Sequence, residues 1–171
     1  MKIINKVEHE LFGELCCFAN DNGEELFWGK ELKMKFLSFE EHNVVVGLDL
    51  YCYDKDFNTR WKTEKADSIV NNIYKQYQNF LSDCKCIDDI FMKEFNEERE
   101  EWDIQTKIES KEDLYSKIQV IQVDIVKESY IINFILDDER WSLVKICYEG
   151  KTSYFCINPT EETEFAEMDY H

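Results

Sequence analysis

Residues 63–103, TEKADSIVNNIYKQYQNFLSDCKCIDDIFMKEFNEEREEWD, are the only long helical stretch legible in the chain. Ala66, Ile69, Val70, Ile73, Tyr74, Tyr77, Phe80 and Leu81 recur at the i, i+3, i+4, i+7 spacing of one helical face. Lys65, Asp67, Asn71, Lys75, Gln76 and Asn79 fall opposite. Thr63 is placed to cap the first turn, with Glu64 and Asp67 near the positive end of the helix dipole. Ser82 and Asp83 read as a short break able to cap a second helix, whose stripe is Ile87, Ile90, Phe91, Phe95 and Trp102. The outer face of that helix is acidic: Asp88, Asp89, Glu94, Glu97, Glu98, Glu100, Glu101 and Asp103 against Lys93 and Arg99. Two stripes joined by a short break predict an antiparallel helical hairpin that needs a surface to cover.

The flanks supply that surface. Residues 2–18 read as extended with a turn at Phe12-Gly13-Glu14, and Asn20-Asp21-Asn22-Gly23 is the clearest turn in the chain. Leu26, Phe27 and Trp28 begin a strand, with a break or bulge expected at Gly29. Leu32, Met34 and Phe36 then alternate with Lys33 and Lys35, and residues 44–53 are rich in β-branched and aromatic side chains. After the helices, Ser110 caps a short helix carrying Leu114 and Ile118. Strands are expected over 120–126, 130–136, 141–148 and 151–157, with turns at Lys127-Glu128-Ser129, at 137–140 and at Glu149-Gly150. The order is strands, helix, helix, short helix, strands. It predicts an α+β domain over 1–157, an antiparallel sheet packed by a central two-helix hairpin, followed by an acidic tail over 158–171.

The chain has 171 residues, 44% hydrophobic and 15% aromatic, enough for one domain with a real core. Its 37 acidic and 20 basic residues give a formal charge of −17. That balance argues against nucleic acid and anionic membrane as ligands, since both need clustered Lys and Arg. It favours solubility or a basic protein partner reached by electrostatic steering. No apolar run approaches the roughly 20 residues that span a bilayer, and the start of the chain lacks a signal-peptide core, so a cytoplasmic protein is expected. The seven cysteines fit reduced thiols. Cys52, Cys147 and Cys156 sit in apolar runs, and Cys84 and Cys86 lack a second ligand pair for zinc. Cys16 and Cys17 are adjacent on a strand, face opposite ways, and are not expected both to be core.

Motifs for phosphate loops, nucleophile elbows and zinc proteases are missing, and His9, His42 and His171 are isolated. The candidate binding residues are therefore carboxylates. Glu97, Glu98, Glu100, Glu101 and Asp103 gather near Trp102, a potential aromatic anchor, and Asp137, Asp138 and Glu139 form a second acidic group that also reads as a hairpin turn.

Phe12-Gly13-Glu14-Leu15, Phe27-Trp28-Gly29, the Tyr74-Lys75-Gln76-Tyr77 helix and the run 130–144 together resemble small bacterial α+β domains related to immunity proteins of toxin systems. In that group the closing sheet often carries a Trp-Asp-x-Glu-His-Gly turn; this chain has Leu136-Asp137-Asp138-Glu139-Arg140-Trp141 there, without the His and Gly. The resemblance implies a cytosolic, non-enzymatic binder that neutralises a basic toxin domain and uses no cofactor. The alternative is an enzyme or small-molecule binder with a pocket between hairpin and sheet, lined by Trp28, Tyr51, Trp61 or Trp141.

Overall fold

A computed structural model describes residues 1–23, 26–50, 64–101, 105–148 and 150–157. Period-two alternation becomes strand at both ends of the chain. Strands β1 (Lys2–His9), β2 (Gly13–Ala19), β3 (Leu26–Met34) and β4 (His42–Leu48) come first. Helices α1 (Glu64–Asp83), α2 (Ile87–Glu101) and α3 (Lys111–Lys117) follow, then β5 (Ile118–Ile125), β6 (Ser129–Leu136), β7 (Glu139–Tyr148) and β8 (Lys151–Ile157). The result is α+β, with one 8-stranded sheet ordered β1 to β8.

All neighbouring pairs are antiparallel except β4 and β5, where Val46, Gly47 and Leu48 run parallel to Val123, Asp124 and Ile125. This corrects the expectation of a wholly antiparallel sheet. The chain leaves β4, passes through the helices, and returns alongside it in the same direction, as a crossover does.

One row of register partners runs from β2 to β8 on the face that meets the helices: Cys17, Trp28, Leu48, Ile125, Tyr130, Lys145 and Tyr154. Against it α1 buries Ala66, Ile69, Val70, Ile73, Tyr77 and Phe80. The rings of Phe80 and Tyr130 meet edge-on at 5.4 Å. α2 buries Ile87, Phe91 and Phe95. Phe91 meets Phe134 at 4.7 Å, and Phe95 meets Trp141 at 5.6 Å. Each large side chain so buried contributes about 1.5–3 kcal/mol. The main neighbours of α1 are β5 and β6, and those of α2 are β8 and α3. The helices are thus held by the sheet more than by one another, unlike a hairpin sealed along its own seam.

Four local expectations change. Gln76, expected on the solvent face, is buried and accepts a hydrogen bond from Asn79 at 3.1 Å. Its spacing from Ile73 and Phe80, three and four residues, puts it on the buried stripe. Gly29 does not break β3; Gly29 faces Gly47 in register, and a Cβ there would lie 2.4 Å from the Val46 carbonyl oxygen. Cys16 and Cys17 are both buried. They do face opposite ways, but only Cys17 joins the main core. Cys16 lies across from Gly29, whose missing side chain leaves it room, beside the stacked pair Phe18–Phe27.

The fourth is Asp83. It does not cap α2; it ends α1, and its Oδ2 accepts from Lys145 Nζ at 2.6 Å, Tyr130 OH at 2.8 Å and Tyr154 OH at 3.1 Å. All three donors belong to the single core row, so one carboxylate fastens α1 to β6, β7 and β8. By itself, burial would lower the Lys145 pKa, but the hydrogen bond and charge of Asp83 outweigh it and the pKa is raised. Burial first, and Asp83 second, raise the Tyr130 pKa.

The short helix and turns follow the sequence closely. Ser110 caps α3 by accepting from Asp113 N at 3.1 Å. Asp137 and Asp138 take positive φ of 49° and 66°, the pair a two-residue hairpin turn needs, between β6 and β7.

Candidate partner-binding surface

The exposed side of α2 borders a groove of about 520 Å³ whose other wall is the segment leading to α3. Asn96 builds that wall. Its Nδ2 donates to the Ile108 carbonyl at 2.8 Å and its Oδ1 accepts from Ile108 N at 3.0 Å, so one side chain pairs with backbone as a strand neighbour would. Ile108 is buried and Met92 half-buried beneath the groove, while Asp89, Glu97, Glu100 and Glu109 stand on its rim.

Lys93 lies among these acids, 3.1 Å from Glu94 and 3.8 Å from Glu97. Its pKa is raised, first by the Glu94 hydrogen bond and then by the Glu94 and Glu97 charges. Lys111 reaches Asp89 at 3.2 Å. Tyr115 donates to Asp88 at 2.5 Å; burial and then that bond push its pKa up to about 12. The first turn of α2 is thereby tied to α3.

The predicted residues separate. Glu97 and Glu100 are exposed on the groove side, their side chains 64% and 76% accessible. Glu98 is half-buried on another side of α2, where its charge and that of Glu94 add to the burial that raises the Cys156 pKa. Glu101 ends the helix, its side chain outside the described residues, as are Trp102 and Asp103. Asp137, Asp138 and Glu139 are exposed. Asp137 accepts a hydrogen bond from Thr106, in the segment that forms the outer groove wall. The turn is thereby joined to the segment that packs on Asn96 of α2.

Asn96 and Glu109 are not among the residues expected from sequence, and Asp89 is expected there on the acidic outer face but not as a binding residue. A signal for Asp89 exists: Asp89, Lys93, Glu97 and Glu100 follow helical spacing along one side, while Glu98 lies off it. Nothing local marks Asn96, whose partner is 12 residues away.

Other expected features resolve plainly. Trp28 and Trp141 are buried in the core, and Tyr51 and Trp61 lie outside the described residues, as do Thr63, Cys52 and the 158–171 tail. His9 tilts against Phe12 at 5.2 Å, and its Nδ1 accepts from Leu11 N at 3.1 Å. Cys16, Cys17, Cys84, Cys86 and Cys156 are free thiols. Among the described residues, no three His, Cys, Asp or Glu side chains gather as metal ligands. Among them too, no helix is long and apolar enough to cross a membrane.

No protein-family model matches the chain, and neither a curated protein nor a solved structure matches it. The groove on α2 presents carboxylates and Lys93 around a floor of Met92 and Ile108.

Proposed function

We propose that this is a non-enzymatic binding protein of the immunity type, acting in the cytoplasm, that blocks a basic toxin domain by docking it on the α2 groove. The observation that carries the reading is the groove itself. It is apolar at the floor (Met92, Ile108), acidic at the rim (Asp89, Glu97, Glu100, Glu109), and held open by the Asn96 clamp. The exposed Asp137–Glu139 group extends the acidic surface beyond it. A basic partner would be drawn by the −17 charge and gain its contact area on the floor. The sequence adds Glu98, Glu101, Trp102 and Asp103 to the residues of this contact.

The test is stopped-flow association with a candidate basic toxin domain at low and physiological salt. Association should slow markedly as salt rises, because screening at about 0.15 M confines charge effects to roughly 8 Å. Glu97→Gln/Glu100→Gln should associate several-fold more slowly than wild type with unchanged melting, since exposed charges contribute about 0–1 kcal/mol to stability. A double variant that associates as fast as wild type would place the contact elsewhere. No association with any basic toxin domain would end the reading.

A further inference from the structure

A second concavity lies where the two parallel strands end. β4 stops at Leu48 and β5 at Ile125; Asp49 and Val126 continue them, with Asp49 N donating to the Ile125 carbonyl at 3.0 Å. From there β5 turns into the β6 hairpin, and the next described element after β4 is α1. The carboxyl ends of parallel strands are where open sheets leave room for a ligand. A pocket of about 290 Å³ occupies this place, walled by Phe27, Val126, Asp49 and Asp124.

The pocket is built rather than left over. Gly47 forms part of its wall, and a Cβ there would lie 2.8 Å from Asp124 Oδ1; glycine is what lets the carboxylate lie over β4. Gln122 Nε2 donates to Asp124 Oδ1 at 2.5 Å and Asn133 Nδ2 to Asp124 Oδ2 at 2.6 Å. Ser142 in turn donates to Asn133 Oδ1 at 2.8 Å. This chain of polar side chains, spread over β5, β6 and β7, aims one carboxylate at the pocket. Apolar side chains would cover the same sheet positions at less cost, because a half-buried carboxylate must be desolvated.

Its chemistry is one-sided. Two carboxylates share the pocket and, among the described residues, no Lys or Arg lines it. Desolvation raises the pKa of Asp124 and, although Asp49 stands at the surface, that of Asp49 too, which the Asp124 charge raises further. A cation would relieve both. A hard metal ion is a poor occupant, since it needs six or more oxygens, while the side chains around Asp124 turn NH₂ groups toward it. An organic cation is the better fit: it donates to the carboxylates, faces the Phe27 ring, and lays its carbon stem on Val126.

We propose that the pocket at the carboxyl ends of β4 and β5 binds an organic cation, a primary ammonium or guanidinium group on a short aliphatic stem. The group is either that of a free small molecule or a Lys or Arg side chain of another protein. The pocket belongs to the sheet, not to the α2 groove, and does not depend on the binding role proposed there.

The experiment is amide NMR titration with n-butylammonium, n-butylguanidinium, acetyl-Gly-Arg-Gly-amide and, as the neutral control, n-butanol. Saturable shifts at the Gly47, Leu48, Asp124 and Ile125 amides are expected with at least one of the cations and not with n-butanol. Tighter binding of the free alkyl cations indicates a small molecule, and tighter binding of the peptide indicates a partner side chain. Asp49→Asn, at the exposed rim, should keep the fold and weaken binding by about fivefold, the worth of one modest charge contact. Asp124→Asn should weaken it at least as much where it folds. No saturable shift, equal response to n-butanol, unchanged affinity in Asp49→Asn, or shifts confined to Glu97 and Glu100 would each overturn the proposal.

Discussion

Asp83 holds α1 to three strands through one carboxylate oxygen. Its partner Lys145 is buried, with 9% of its side chain accessible, while Asp83 keeps 19%. Removing one member of such a pair strands the other, which costs about 3–5 kcal/mol, and the residual access of Asp83 places the loss near the lower figure. Asp83→Ala should lose roughly 3 kcal/mol in urea unfolding, and adding Lys145→Met should recover part of it. A single variant as stable as wild type would show that the tether contributes nothing. Lys145, Tyr130 and Tyr154 all have raised pKa values. Their contribution is therefore complete below the ordinary values, 10.0 for tyrosine and 10.5 for lysine, and is lost as pH rises through the raised ones. Wild type should lose stability above about pH 10, and Asp83→Asn should show a shallower loss. The thiols offer a second check at this scale. Cys86 is exposed, Cys16, Cys17 and Cys156 are buried, and burial pushes the Cys84 pKa up to about 12. Iodoacetamide should label Cys86 well before these four, as read by peptide mass spectrometry. Equal labelling of Cys16 would contradict its burial.

At the scale of elements, the helices are stable because aromatic stripes lie on a sheet, not because of local propensity alone. Ile73 is 1% exposed, so Ile73→Asp buries a charge without a partner and should cost several kcal/mol or prevent folding. Phe91 is fully buried between Phe95 and Phe134. Phe91→Ala should cost about 3–5 kcal/mol by chemical unfolding, the range for a large aromatic lost from a packed core. A loss under 1 kcal/mol would mean that α2 is not seated on the sheet. α3 shows the opposite balance. Its cap, Ser110 accepting from Asp113 N, is four residues of local sequence and was legible as such. Which strands each helix lies on was not legible: stripe width predicts that a face is covered, not which strands cover it.

For the whole molecule, charge acts in two directions. The −17 balance steers basic partners but also repels itself in the compact state. Raising salt from low to physiological strength at pH 7 should therefore raise the melting temperature, while the same change slows association with a basic partner. A melting temperature that falls with salt would show that native ion pairs outweigh the self-repulsion. The sheet joins the two halves of the chain only at the parallel β4–β5 seam, with the helices in the crossover. Loop closure across that crossover must precede pairing, which points to slower folding than an all-local arrangement of the same length.

The sequence by itself determined the α+β class, the presence of two consecutive long helices between residues 63 and 103, the cap of α3, a turn within 137–140 and the run of β8. Each rests on periodicity or turn chemistry within a few neighbouring residues. It also marked Glu97 and Glu100 as exposed acids. Only the tertiary structure decided that β4 and β5 run parallel, that Gln76 is buried, that Asp83 meets Lys145 across 62 residues, and that Asn96 clamps Ile108. It alone brought Gly47 beneath Asp124. The physical reason is common to all of these. A polar side chain of a given type has the same local signature whether solvated or paired, and its partner is chosen by strand register and helix placement, which exist only once the chain has folded.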